Sequence, residues 1–132
     1  MTPALLPSVV AICIGASTGA VLRWQLAEGL NTVFPQLPLG TLLANLVGGY
    51  LMGLAMAIFA GQGSWSPEWR LLVMTGFLGG LTTFSAFSAE VVTMLQDEKW
   101  VWAAAIMASH VLGTLMMTIL GIYTVRLLTQ GA

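Results

Sequence analysis

Four long apolar runs, separated by short connections rich in helix breakers, leave this chain few ways to fold. They extend from about Ala4 to Gly29, Leu39 to Ala60, Glu68 to Gln96 and Lys99 to Leu128. About 20 helical residues cross a ~30 Å hydrocarbon core, so each run is long enough to span a bilayer. Between them lie Asn31, Pro35 and Pro38, then Gly61, Gly63 and Pro67, then the turn from Gln96 to Lys99. A water-soluble alternative lacks charge: only 7% of the 132 residues are charged and 58% are hydrophobic, whereas soluble domains carry about 25% charged residues. The chain reads as an all-α membrane protein, one four-helix transmembrane domain over residues 1–132, with the lipid bilayer as its solvent.

Local signals agree. Trp24, Trp65, Trp69, Trp100 and Trp102 fall near run ends, the pattern of an interfacial aromatic belt. Residues 1–22 hold no Lys or Arg, so the first run is expected to remain as a span, not to be removed as a signal peptide. Cys13, the single cysteine, has no intrachain disulfide partner and reads as a small apolar residue. A net charge of −1 gives no basic field for nucleic acid.

The third run is too long. Arg70 to Gln96 as one straight helix would extend roughly 40 Å at ~1.5 Å per residue, beyond the ~30 Å core. Tilt absorbs part of the mismatch. A break near Gly79-Gly80 and Thr82-Thr83 would absorb the rest, so the third helix is expected to be broken near its middle.

Orientation is nearly unbiased. With four spans, Arg70 and Arg126 fall on one side and Arg23 and Lys99 on the other. The positive-inside rule then has little to act on. Insertion both ways would allow two opposed copies to pair as an antiparallel, dual-topology homodimer; the alternative is one orientation set by weak local effects. Gly15–Gly19 and Gly49–Gly53 have the GxxxG spacing that lets helix backbones approach closely.

Polar groups at membrane depth need partners and often mark a path. Thr41, Asn45 and Gly48/Gly49 share one face of the second span, and His110, Thr114, Thr118 and Gly121 one face of the fourth. On the third, Phe84/Phe87 and Ser85/Ser88 are each spaced i, i+3. Neutral donors dominate, which suits an anion or neutral solute better than a metal cation. Such hydroxyls also satisfy their own helix backbone, and His110 reads equally as a packing histidine. Arg23 either snorkels to the interface or forms a positive vestibule for anions. Glu90 is the acid placed well inside a span. No Ser-His-Asp set, paired carboxylates, Cys/His cluster or phosphate loop is visible, so enzymatic activity has little support in the sequence.

The segments GASTGAVLRW (Gly15 to Trp24), GTLLANLVGG (Gly40 to Gly49) and GFLGGLTTFSAFSAE (Gly76 to Glu90) resemble the signature segments of the Fluc fluoride-channel family, also called CrcB. The resemblance covers essentially the whole chain. It implies an antiparallel dual-topology homodimer that conducts fluoride passively out of a prokaryotic cytoplasm, through two pores lined by both subunits. By motif position it assigns Phe84 and Phe87 as ring edges on the fluoride path, Asn45 as the second-span amide, and Ser85 and Ser88 among the hydroxyls. It also implies a structural sodium ion at the dimer centre, held by the backbone carbonyls of Gly79 and Thr82. With the stripes read from spacing, the expected pore residues are Thr41, Asn45, Phe84, Ser85, Phe87, Ser88, His110 and Thr114, with Arg23 at the vestibule. Two departures stand out: Ala86 replaces a threonine common in the motif, and His110 and Ile106 stand where other members carry small hydroxyl residues or tyrosine. The rival functions are a proton-coupled multidrug-type exporter using Glu90, and a scaffold that only dimerises.

Overall fold

Prolines and short polar turns end the helices where the sequence places them. The computed structural model describes residues 4–61 and 63–131. The first two spans are α1 (Leu5–Leu30) and α2 (Leu39–Ala60). The third, Pro67–Gln96, divides into α3, which runs through Pro67–Arg70, Leu71–Leu78 and Gly79–Leu81, and α4 (Phe84–Gln96). The fourth is α5 (Trp100–Gln130). All four segments are long and apolar enough to cross a membrane, which makes this a multi-pass membrane protein.

α3 starts on Pro67, whose missing N–H costs nothing in a first turn, with Glu68 at the positive end of the helix dipole. Arg70 ties this start to the end of α2. Its Nη2 donates to the Phe59 carbonyl at 2.6 Å, and its guanidinium lies 5.7 Å from the Phe59 ring centroid. Leu71–Leu78 is wound as a π-helix, a wider coil often found beside functional sites.

The break falls on two residues. Thr82 (φ −82°, ψ 154°) and Thr83 (φ −150°, ψ 117°) are extended, while Gly79 remains helical at φ −63°, ψ −37°. Of the two dipeptides the sequence offered, the threonines carry the interruption; their β-branched side chains suit extended backbone. Thr83 then caps α4 by accepting from the Ala86 N–H at 3.1 Å. α4 ends with Glu98 in the left-handed region (φ 58°), where Lys99 N–H reaches the Met94 carbonyl at 2.8 Å, a Schellman turn.

α1 packs on α3, α2 on α5, and α4 on α5. The GxxxG glycines serve these contacts within the chain. A Cβ at Gly19 would meet the Phe77 carbonyl of α3, and one at Gly53 the Thr118 carbonyl of α5. One apolar cluster (Ala44, Ala55, Phe59, Leu78, Leu81) joins α2 to α3, and another (Phe87, Val91, Met94, Ala103, Ile106) joins α4 to α5. The break lies between them.

Candidate functional site

Extended backbone inside a membrane leaves amides and carbonyls that need partners. Asn45 of α2 supplies two of them. Its Oδ1 accepts from the Thr83 N–H at 2.7 Å, and its Nδ2 donates to the Thr83 carbonyl at 3.0 Å. Arg23 of α1 supplies another, its Nε donating to the Gly80 carbonyl at 3.0 Å. Arg23 is therefore anchored at the break, close to the negative end of α3.

These bonds redirect helical donors. In an unbroken helix Thr83 N–H would close on the Gly79 carbonyl and Ala86 N–H on the Thr82 carbonyl. Here the first goes to Asn45 Oδ1 and the second to Thr83 Oγ1. The carbonyls of Gly79 and Thr82 thus lose their usual helical donors, and Gly79 is exposed on the surface of the chain.

Asn45 extends the network. Its Nδ2 also lies 2.9 Å from Nδ1 of His110 on α5. Both amide protons are then engaged, so in this arrangement Asn45 holds the wall together and has no donor to spare. Phe87 stacks on the His110 ring at 4.8 Å between centroids, and Phe84 meets Phe87 edge-on at 5.3 Å. Phe87 is 7% exposed and Phe84 78%. One aromatic is locked into the chain while the other stands free beside it.

A cavity of about 320 Å³ opens here, lined by Asn45, Thr82, Thr83, Phe84, Phe87, His110, Val111, Thr114 and Leu115. It brings together Asn45, Phe84, Phe87, His110 and Thr114 from the expected pore set, with Thr82 from the expected cation site. The Thr114 hydroxyl has no hydrogen-bond partner among the described residues, while the Thr114 carbonyl accepts from the Thr118 hydroxyl at 3.0 Å. Thr41 lies outside the lining: its hydroxyl accepts from Asn31 Nδ2 and its N–H donates to Asn31 Oδ1, both at 3.1 Å, which ties the α1–α2 connection to α2. Ser85 and Ser88 are exposed and also outside the lining. Ser85 Oγ pairs with Thr83 Oγ1 at 3.3 Å.

Thr83 is the residue that spacing overlooked. Its signal is the TT pair that opens the motif, since the first residue after a helix break commonly caps the next helix. Glu90 sits beside His110, with Oε2 4.0 Å from Nε2. The cavity wall is neutral throughout. Its chemistry is a hydroxyl, aromatic edges and methyl groups, which can meet a small anion without offering an opposing carboxylate.

The chain matches the family described as "CrcB-like protein, Camphor Resistance (CrcB)" over residues 10–122. It is 60% identical over 127 residues to a protein of Tolumonas auensis named fluoride-specific ion channel FluC, covering 96% of this chain and 100% of that one. A protein of the same name from Pseudomonas paraeruginosa is 58% identical over 119 residues, 90% of this chain and 94% of its own length. Another from Burkholderia thailandensis is 52% identical over 119 residues, 90% and 93% respectively. A match of this extent, across all four spans and the break between Thr82 and Thr83, means that the chain belongs to the CrcB family.

Proposed function

We infer that this protein is a fluoride-selective channel of a prokaryotic inner membrane, which lets fluoride leave the cytoplasm passively. The observation that carries the reading is the neutral cavity at the break, where Thr114, Phe84 and Phe87 converge in a chain 60% identical to a named fluoride channel. Fluoride is small and strongly hydrated, so a path through the membrane must replace its water. Hydroxyl groups such as that of Thr114 do so with ion-assisted hydrogen bonds. Aromatic rings are positive at their edges and face an anion without offering an acceptor. Neutral groups hold the ion loosely enough for it to leave. Chloride is larger and a weaker acceptor, so the same lining repays its dehydration less well.

The working unit we propose is an antiparallel, dual-topology homodimer with two pores. The balanced Lys and Arg placement supports it. So does the 78% exposure of Phe84, a ring that a second copy would cover. The carbonyls of Gly79 and Thr82 fit a structural sodium ion at the dimer centre. They are hard oxygen ligands whose helical donors have been redirected, and an opposed copy brings the same pair. A bound cation there would offset the cost of an anion at membrane depth. Arg23 holds the neighbouring carbonyl of Gly80 and so positions the break beside the path. Glu90 lies outside the cavity lining, which gives the proton-coupled exporter little support.

Reconstituted vesicles test the reading. The expected result is voltage-driven fluoride flux without a proton gradient, with chloride flux at the level of empty vesicles. Phe84→Ile should lower fluoride flux while the dimer persists. Strict proton coupling, or equal fluoride and chloride flux, would count against the channel. Labelling one terminus in cells should reach it from both sides of the membrane; labelling from one side only would remove the dual topology.

A further inference from the structure

The hydrogen bonds at the break fix the tautomer of His110. Thr83 presents an N–H to one end of the Asn45 amide and a carbonyl to the other, so Oδ1 and Nδ2 of Asn45 are not interchangeable. Nδ2 can only donate, and it faces Nδ1 of His110 at 2.9 Å. Nδ1 therefore presents a lone pair, and the neutral ring carries its proton on Nε2. That N–H points away from the Asn45 bond, on a side chain 2% exposed, and has no hydrogen-bond partner among the described residues. Glu90 Oε2 lies 4.0 Å from it and is itself buried without a partner. At 4.0 Å the two atoms are too far apart for a direct hydrogen bond. One atom placed ~2.8 Å from each, to the side of the line between them, would bond to both. Buried polar groups of native proteins are satisfied, often by one small bridging molecule.

We propose that His110 Nε2 and Glu90 Oε2 hold one small hydrogen-bonding ligand between them, water when Glu90 is ionised and fluoride when Glu90 is protonated. The proposal deepens the channel reading and rests on it for the identity of the anion. An ionised carboxylate demands a donor, and water both accepts from Nε2–H and donates to Oε2. A protonated carboxyl turns the pair into two converging donors, which a fluoride ion satisfies as a double acceptor. The titratable groups facing the site are His110 on α5 and Glu90 on α4. α2 contributes the neutral Thr41 and Asn45, Phe87 covers one face of the ring, and Arg23 of α1 is committed to the Gly80 carbonyl. With Nδ1 occupied by the Asn45 donor, the proton that changes the site is the one on Glu90.

The chain has a single histidine, so labelling with [15N]histidine gives one ring to observe. Magnetic resonance of the full-length protein in lipid vesicles should find the Nε2–H tautomer and, at high pH, contact between that proton and water. As pH falls, the Nε2–H signal should shift with sodium fluoride and not with sodium chloride at equal ionic strength. Glu90→Gln, whose charge cannot change, should abolish the pH dependence of that shift. An Nδ1–H tautomer, a bond from Nε2 straight to Glu90 without water or fluoride contact, or equal shifts in both salts overturns the proposal. Water contact at every pH with no fluoride response overturns its anion half. Fluoride flux is read on the same vesicles: flux without an Nε2 response rejects the site alone, and absent flux rejects the channel reading.

Discussion

The two halves of α2 differ in the balance of backbone packing and side-chain bonding, although Gly40 also packs on the Leu26 backbone and Tyr50 donates to the Thr124 hydroxyl at 3.1 Å. Toward its C-terminal end, Gly53 brings the α2 backbone against the Thr118 carbonyl and Gly121 of α5. Toward its N-terminal end, Thr41 and Asn45 reach out with side-chain hydrogen bonds to Asn31, Thr83 and His110. Close backbone packing gives dispersion contacts and rigidity, and leaves no polar group without a partner. The polar half does the reverse: it holds open a stretch of backbone that helical hydrogen bonding would otherwise close. The cavity is at that half. One helix thus contributes both a stiff seam and the support of a site, and substitutions can separate the two.

The largest effect should come from Asn45→Ala. It leaves Thr83 N–H, the Thr83 carbonyl and His110 Nδ1 without their partner. Each buried unsatisfied group costs about 1–3 kcal/mol, so a combined loss of about 3 kcal/mol or more is expected. The chain can recover part of it by returning Thr83 N–H to the Gly79 carbonyl, which would straighten the span and close the cavity. Thermal unfolding in detergent should show the loss, and fluoride flux should fall to the level of empty vesicles. Asn45→Asp keeps the acceptor for Thr83 N–H and should fall between. Wild-type stability and flux in Asn45→Ala would show that the break holds itself open without Asn45.

Gly53→Val tests the other half. The added side chain would drive into the Thr118 backbone, which cannot rotate aside. Overpacking of this kind costs about 1–3 kcal/mol. The melting temperature should drop, while the protein that remains folded keeps its preference for fluoride over chloride. Gly29→Ala is the control, since a Cβ there has nothing within 4 Å. Lost selectivity in Gly53→Val would mean that the seam and the site are coupled, and the contrast between the halves of α2 would fail.

The same contrast explains what could be read from the sequence. Span positions were legible because apolar length and breakers are local properties; α2 runs Leu39–Ala60, as its hydropathy indicates. The interruption of the third span was legible as surplus length. Helical spacing put His110 and Thr114 on one face, and both line the cavity. Spacing does not say what a face meets. Ser85 and Ser88 are exposed on α4 and fall outside the cavity lining, and Thr41 turns to Asn31 because the α1–α2 connection passes there. The bonds from Asn45 to the Thr83 backbone and from Arg23 to Gly80 join residues 38 and 57 positions apart, so local pattern has no access to them. The GxxxG pairs announced close approach, but whether it would occur within one chain or between two depended on the fold.

The smallest effect should follow Ala86→Thr, which adds a hydroxyl in the first turn of α4. Ala86 is half-buried, and its backbone N–H already bonds to Thr83 Oγ1. The added hydroxyl satisfies no orphan at this end of the helix, because the Thr83 N–H is held by Asn45. A β-branched residue in place of alanine costs up to about 0.7 kcal/mol of helix propensity, so stability should fall only slightly. If the path relies on Thr114, Phe84 and Phe87, flux should change by about two-fold or less, which is about 0.4 kcal/mol on the barrier. A rise of tenfold in the vesicle assay would mean that the first turn of α4 is short of donors. The hydroxyl-bearing face of α4 would then belong to the path, and the site would extend beyond what the polar half of α2 supports.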